Sequence, residues 1–322
     1  MVMTRPVSRF RMALALVAAL IAPGLIGEAR AADWQMPGIY AYEVKDWDPD
    51  VGKHFPRLIV RYYTVGAIDP QVALIRKLAE NGNPILIDFE FIRNYDQRRG
   101  AEDLPPYEEV EAELLSVLDK LEGTPIEAIS FDEENGLSAN KITYLNRLYR
   151  AAKQSFPKRQ FLQWIAMQSK AGHVDLGWVG SIATDGWVID PYLSSEEDYG
   201  EIVQRLTETS KPIYSVIWAT PGRPIGKRPH PGTDAGWWND SQWKTFYNRL
   251  AINQANKVAT IFYLYGTEGK TIKRTWAGNP CDRQFYSDLV NVTLPYYRSH
   301  RLSPVTPASR PKWIPGYCEG TR

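Results

Sequence analysis

What most restricts the fold of this chain is a rhythm: eight short, apolar, β-favouring runs recur along it, separated by segments of helical or loop pattern. The runs are Gly38–Glu43, Leu58–Val65, Pro84–Ile92, Ala128–Glu134, Phe161–Met167, Gly186–Tyr192, Pro212–Thr220 and Val258–Gly266. They are apolar almost throughout, as strands buried on both faces must be. Between them, apolar residues return at helical spacing. Val72, Ile75, Leu78 and Ala79 follow Asp69-Pro70 and stop at Gly82; Val110, Leu114, Val117, Leu118 and Leu121 lie between Pro105-Pro106 and Gly123. Ser138 precedes Ile142, Leu145, Tyr149 and Ala152, and Ser194 with Glu197 makes a capping-box pattern ahead of Ile202, Val203 and Leu206. Trp243, Phe246, Tyr247 and Leu250 mark a helix before the eighth run, and Phe285, Leu289 and Val292 the last one. Eight such units over about 270 residues predict a single α/β domain, a (β/α)8 barrel of the TIM type. An open doubly wound sheet calls for a glycine-rich first turn, and Tyr42-Glu43-Val44-Lys45 stands there instead.

Both ends of the chain read differently from this core. Arg5, Arg9 and Arg11 precede an apolar run from Met12 to Gly27, and Ala29-Arg30-Ala31 offers a small-x-small cleavage site, so residues 1–31 are expected to be a secretory signal peptide. Pro23 and Gly24 break that run, which is short for a spanning helix, and no stable membrane insertion is expected after cleavage. The expected division is therefore signal 1–31, barrel 32–301 and an irregular tail 302–322, in a protein exported to the periplasm or beyond. Without the signal, 34 basic and 36 acidic residues remain, a formal charge of −2. That leaves no basic footprint for nucleic acid or for an anionic membrane. The two cysteines, Cys281 and Cys318, suggest one disulfide tying the tail (Pro304, Pro307, Pro311, Pro315) back to the barrel. Four histidines in four separate regions argue against a His-based metal site or triad, and neither a metal nor an organic cofactor is expected.

Two of the runs end alike, in Asp88-Phe89-Glu90 and Asp132-Glu133-Glu134. Side chains alternate along a strand, so each Asp-x-Glu pair is expected to share a face. A carboxylate at the inward end of a strand is costly unless something uses it, and the C-terminal mouth of a parallel barrel is where chemistry sits. Reading the other strand ends adds Tyr40, Tyr42, Tyr62, Tyr63, Arg93, Gln163, Trp164, Asp190, Tyr192, Trp218, Tyr263, Tyr265 and Glu268. Acids and aromatic rings dominate that set. Rings stack on pyranose faces and paired carboxylates move protons, so the expected activity is glycoside hydrolysis with Glu134, Asp132, Glu90 and Asp88 as catalytic candidates. A broad aromatic mouth suits a polymer, so cleavage within a polysaccharide is expected. Two competitors remain open: Asp132 as nucleophile with Asp190 as acid/base, or a non-catalytic barrel that binds polysaccharide. Carboxylates locked to Arg93 or Arg61 would favour the latter.

Ile87-Asp88-Phe89-Glu90-Phe91-Ile92-Arg93 resembles the Ile-Asp-Phe-Glu-x-x-Arg segment of the hyaluronidases. Pro191-Tyr192-Leu193 is similar to the strand end that supplies a site tyrosine in that family, and Tyr265-Gly266 stands where it has Trp-Gly. The segment Glu127–Glu134 is similar to the chitinase signature Asp-Gly-x-Asp-x-Asp-x-Glu, with Glu127 and Ser130 in place of two of its aspartates. These resemblances imply a retaining mechanism in which the substrate's own N-acetyl group attacks. Asp88 or Asp132 would orient it, Glu90 or Glu134 would be the acid, and Tyr192 would help hold the acetamido group. They also imply an amino-sugar substrate. The larger group of retaining barrel glycosidases, with a Glu on the fourth strand and another on the seventh, is not matched, because Ile217-Trp218-Ala219-Thr220 has no acid.

Overall fold

A computed structural model describes residues 35–41, 55–63, 68–80, 82–91, 104–134, 138–166, 176–190, 195–218, 240–263 and 280–315. Eight parallel strands close into a barrel in chain order: β1 Gly38–Ala41, β2 Arg57–Tyr63, β3 Ile85–Glu90, β4 Ile126–Glu134, β5 Gln160–Ala166, β6 Gly186–Asp190, β7 Ile213–Trp218 and β8 Ala259–Tyr263. Helices α1 Ile68–Ala79, α2 Tyr107–Lys120, α3 Ala139–Ser155, α4 Glu196–Thr207, α5 Asp240–Ala255, α6 Pro280–Asp288 and α7 Leu294–Ser299 follow β2, β3, β4, β6, β7 and β8, the last strand being followed by two of them. The expected (β/α)8 barrel is therefore present, and all eight predicted strands fall within it.

The near-continuous apolarity of the strands has a direct cause. One face of each packs inside the barrel, where Ile59, Leu86, Ala128, Leu162, Val188, Val216 and Ile261 meet. The other face packs under the helices, where Val60, Ile87, Phe161, Ile189 and Phe262 meet Ile75, Leu114, Leu148, Leu206 and Leu250. Each fully buried aliphatic side chain of this kind contributes about 1.5–3 kcal/mol. Close strand packing also demands glycine at two points. A Cβ on Gly38 would lie 2.7 Å from Ile261 Cδ1, and one on Gly186 would lie 2.7 Å from the Pro212 carbonyl oxygen.

Helix boundaries follow local chemistry. Gly82 and Gly123 take the left-handed φ that ends a helix, at 79° and 78°. Ser138 caps α3 by accepting from the Lys141 N–H at 3.3 Å. The cap of α4 is Ser195, which accepts from the Asp198 N–H at 3.0 Å, one residue later than the expected Ser194–Glu197 box. Asp69 stands inside the first turn of α1 rather than capping it.

Between α6 and α7 the backbone takes one π-helical turn, Leu289–Thr293, ending two residues before Pro295, whose missing N–H removes a rung of the ladder. That widened turn changes the helical phase. Val290 and Thr293 are buried, while Val292, expected in the core, is exposed. The tail residues 302–315 are irregular, as expected, but well seated. The Trp313 ring stacks on Tyr296 at 4.7 Å, the Trp313 carbonyl accepts from Thr293 Oγ1 at 2.5 Å, and the Ser303 carbonyl accepts from the Tyr247 hydroxyl at 3.0 Å. Cys318 and the Cys281 side chain lie outside the described residues, as does the expected signal peptide. Among the described residues no helix is long and apolar enough to cross a membrane.

Candidate active site at the barrel mouth

Strand alternation carries Arg61, Asp88, Glu90, Trp164, Asp190, Tyr40 and Tyr263 to the inner face, each at or near the C-terminal end of its strand. All seven are buried. Parallel pairing sets Arg61 beside Asp88, Tyr40 beside Tyr263 and Asp190 beside Ala166. The Tyr40 hydroxyl donates to Asp88 Oδ2 at 2.7 Å. Arg61 Nε lies 3.7 Å from the same oxygen, and Arg61 Nη2 contacts Glu90 Oε1 directly. One guanidinium thus serves two carboxylates. The Tyr40 ring stands 5.4 Å from Trp164 and 5.3 Å from Tyr263, which makes an aromatic wall beside the charges.

Burial pushes the Tyr40 hydroxyl well above its ordinary range; Arg61 opposes that shift and Asp88 adds to it. Tyr40 therefore stays protonated and donates to Asp88. Trp164 has only 1% of its surface exposed, and among the described residues its indole N–H has no hydrogen-bond partner. A buried donor left unmade costs about 1–3 kcal/mol, a cost that a ligand acceptor would remove. Asp190 is buried on β6, and its charge acts on Arg249 of α5, whose guanidinium is shifted down by burial and partly restored by Tyr199 first and then Asp190.

The sequence-predicted residues divide by place. Asp88, Glu90, Trp164 and Asp190 share the mouth. Asp132 and Glu134 lie on the last residues of β4, and Trp218 ends β7; their side chains lie outside the described residues. The β4–β5 pairing slips by one residue between Phe131 and Glu134, so the alternation that would put Asp132 and Glu134 on one face is interrupted there. Arg93, Tyr192, Tyr265 and Glu268 lie outside the described residues. Tyr62 was expected at the mouth but faces the helix layer, stacked on Phe89 at 5.2 Å and donating to Glu113 Oε1 at 2.9 Å. Gln163 also faces away from the lumen; its Nε2 donates to the Phe131 carbonyl at 3.2 Å and the Trp164 carbonyl at 2.8 Å. Glu127 stands at the far end of the barrel, paired with Arg57. Arg61, foreseen only as an ion-pair partner that would favour binding without catalysis, is a member of the site. Its signal was an arginine in an otherwise apolar strand, in phase with Ile59.

No protein-family model matches the sequence, and neither does any curated protein sequence. Solved structures do resemble it. A mutant of Pseudomonas fluorescens subsp. cellulosa xylanase A in complex with xylopentaose aligns with a TM-score of 0.52 at 11% identity, over 74% of this chain and 89% of that one. The endoglucanase Cel5A of Pseudomonas stutzeri aligns at 0.51 and 13% identity, over 90% and 94%. A longer Bacteroides fragilis chain assigned as a β-galactosidase aligns at 0.46 and 13%, over 70% of this chain and 35% of that one. The neighbours are (β/α)8 glycoside hydrolases, and at these identities the likeness establishes the fold.

Proposed function

We propose that the protein is an exported glycoside hydrolase that cleaves within a polysaccharide, using carboxylates at the C-terminal mouth of its barrel. The observation that carries this reading is the buried pair Asp88 and Glu90 on Arg61, beside the rings of Tyr40, Trp164 and Tyr263, with Asp190 buried on the same inner face at the end of β6. Asp88 and Glu90 both face one guanidinium in a buried site of low dielectric. Such a site favours the positive charge that develops on a sugar ring as its glycosidic bond breaks. Arg61 also sits directly against Glu90. Glu90 then suits stabilisation of, or attack on, that positive centre, and Asp88, held by Tyr40, suits orientation. Proton donation to the leaving oxygen falls to Glu134, with Asp132 as its neighbour.

An amino-sugar substrate is compatible with the same placement. Its N-acetyl group would be the attacking species, Asp88 or Asp132 would orient it, and Tyr192 would hold it. In that version Glu90 remains the other candidate acid. Trp164, Trp218, Tyr265, Arg93 and Glu268 would contact the polymer. Residues 1–31 would be removed on export to the periplasm or beyond, and Cys281–Cys318 would tie the tail (302–322) to the barrel (32–301).

The test is release of reducing ends from a panel of neutral and amino-sugar polysaccharides, with Glu90→Gln and Glu134→Gln beside the wild type. At least one variant should lose about 10³-fold in rate, in the range of lost acid–base catalysis, with an unchanged melting curve. Full activity in both, or no cleavage of any polymer, overturns the assignment. A second reading, a binding barrel without catalysis, is favoured by the contact of Arg61 with both β3 carboxylates. Its signature is saturable polysaccharide binding with no cleavage.

A further inference from the structure

We propose that the pole of the barrel opposite the mouth carries an oxyanion-binding site, built by Lys257, Arg298 and Arg301 around a cavity of about 370 Å³. Lys257 precedes β8 and Gln35, on the cavity's rim, precedes β1, so the cavity lies at the N-terminal ends of the strands. Among the described residues no carboxylate lines it. Among the described residues none of the three cations makes an ion pair, whereas Lys120, Lys153 and Arg205 each sit on an Asp or Glu. Like charges crowded around one concavity repel, and a bound anion relieves that repulsion. Arg298 is exposed at the cavity, and partial desolvation shifts its guanidinium down.

The framework of this cavity is fixed rather than incidental. Gln254 is buried; its Nε2 donates to the Tyr297 carbonyl at 3.2 Å and the His300 carbonyl at 2.7 Å, and its Oε1 accepts from the Leu302 N–H at 2.5 Å. That clamp pins the turn that supplies both arginines. Lys257 stands at φ 56° as the left-handed residue that closes α5, its N–H donating to the Gln254 carbonyl at 3.3 Å and the Val258 N–H to the Asn253 carbonyl at 2.8 Å, so its backbone is fixed at the cavity's edge. The His300 ring, also on the cavity, lies flat on Tyr296 at 3.9 Å, and Tyr296 lies on Trp313. Guanidinium groups bind carboxylate, phosphate and sulfate with paired hydrogen bonds, and a flat ring beside them suits a sugar that bears such a group. The ligand class is therefore an oxyanion, either a free inorganic ion or the carboxylate of an acidic saccharide. The site is independent of the mouth and of the hydrolase assignment.

Calorimetric titration at low ionic strength tests this. Inorganic phosphate is used in one arm, tetragalacturonate in a second and maltotetraose as the neutral control. Saturable one-site binding of at least one anion is expected, with none of the neutral sugar, and at least tenfold weaker in Arg298→Ala/Arg301→Ala. Lys158→Ala, remote from the cavity, should bind as the wild type does. Tighter phosphate binding identifies a free-ion site, and tighter tetragalacturonate binding an acidic-saccharide site. Should the double variant melt early, Lys257→Ala, at an exposed position, takes its place with the same expectation. No saturable anion binding, or affinity unchanged by the substitutions, overturns the proposal.

Discussion

Strand β2 carries two arginines four residues apart on one face, and they live in different electrostatic worlds. Arg57, at the closed pole, makes two bonds to Glu127, at 2.7 Å and 2.8 Å, and a third to the Met36 carbonyl. The Tyr214 hydroxyl completes the set by donating to Glu127 at 2.9 Å, and burial, with Glu127 beside it, pushes that hydroxyl far up. One cation meets one anion there, and the bonding is satisfied. Arg61, at the mouth, meets two carboxylates, Asp88 and Glu90. The lesson is about placement rather than residue type: at the closed pole the arginine joins β2 to one acid on β4, whereas at the mouth it gathers two acids of β3 where a ligand can reach them.

Substitutions can separate the two poles. Arg61→Met should lower kcat about 10²–10³-fold, with a smaller change in KM, because it disturbs charge stabilisation that acts mainly in the transition state. Steady-state kinetics on whichever polysaccharide is cleaved decides this, and an unchanged kcat would make the mouth as structural as the plug. Arg57→Met should do the reverse. Breaking a buried pair leaves a stranded charge, and with Glu127 partly exposed the loss should be about 2–3 kcal/mol in denaturant unfolding, with kcat per folded molecule intact.

Trp164→Phe preserves most of the packing and deletes the unpartnered N–H. It should raise KM about tenfold, the scale of one hydrogen bond to a ligand, while stability holds or rises slightly. The smallest effect sharpens the contrast from outside the barrel. Tyr62, next to Arg61 on β2 but facing outward, donates to half-buried Glu113, whose carboxyl burial shifts up from 4.5. The folded state therefore holds that proton more tightly than the unfolded chain. Glu113's contribution to stability should be full below its unfolded value and fade as pH rises through its folded one. Unfolding titrations of wild type and Glu113→Gln should differ in slope over that window above pH 4.5 and nowhere else.

Much of the architecture could be read before any coordinates. Eight strands announced themselves because a strand covered on both faces has little room for polar residues, and the turns were marked where Gly82 and Gly123 need positive φ. Asp88 and Glu90 were found for the same reason in reverse, as acids where an apolar strand should have continued. Other features were hidden because they depend on partners distant in sequence. Nothing local decides between Arg61 and Arg93 as the partner of the β3 acids, or says that Tyr62 will stack outward on Phe89. Glu127 sits where the β3–β4 register shifts beyond Ile85, an irregularity that strict alternation does not foresee. Val292 was misplaced because a periodicity of 3.6 was carried across a π turn.

The register of β4 is broken twice, once after Ile126 and again after Phe131. Only the stretch Ala128–Phe131 is locked in step with both neighbouring strands. Gains or losses of a residue at either seam can be absorbed there without unzipping the barrel. The two extremities of this one strand are thus free to diverge separately over evolution, and an engineer could re-aim the outer seam while leaving the inner one untouched.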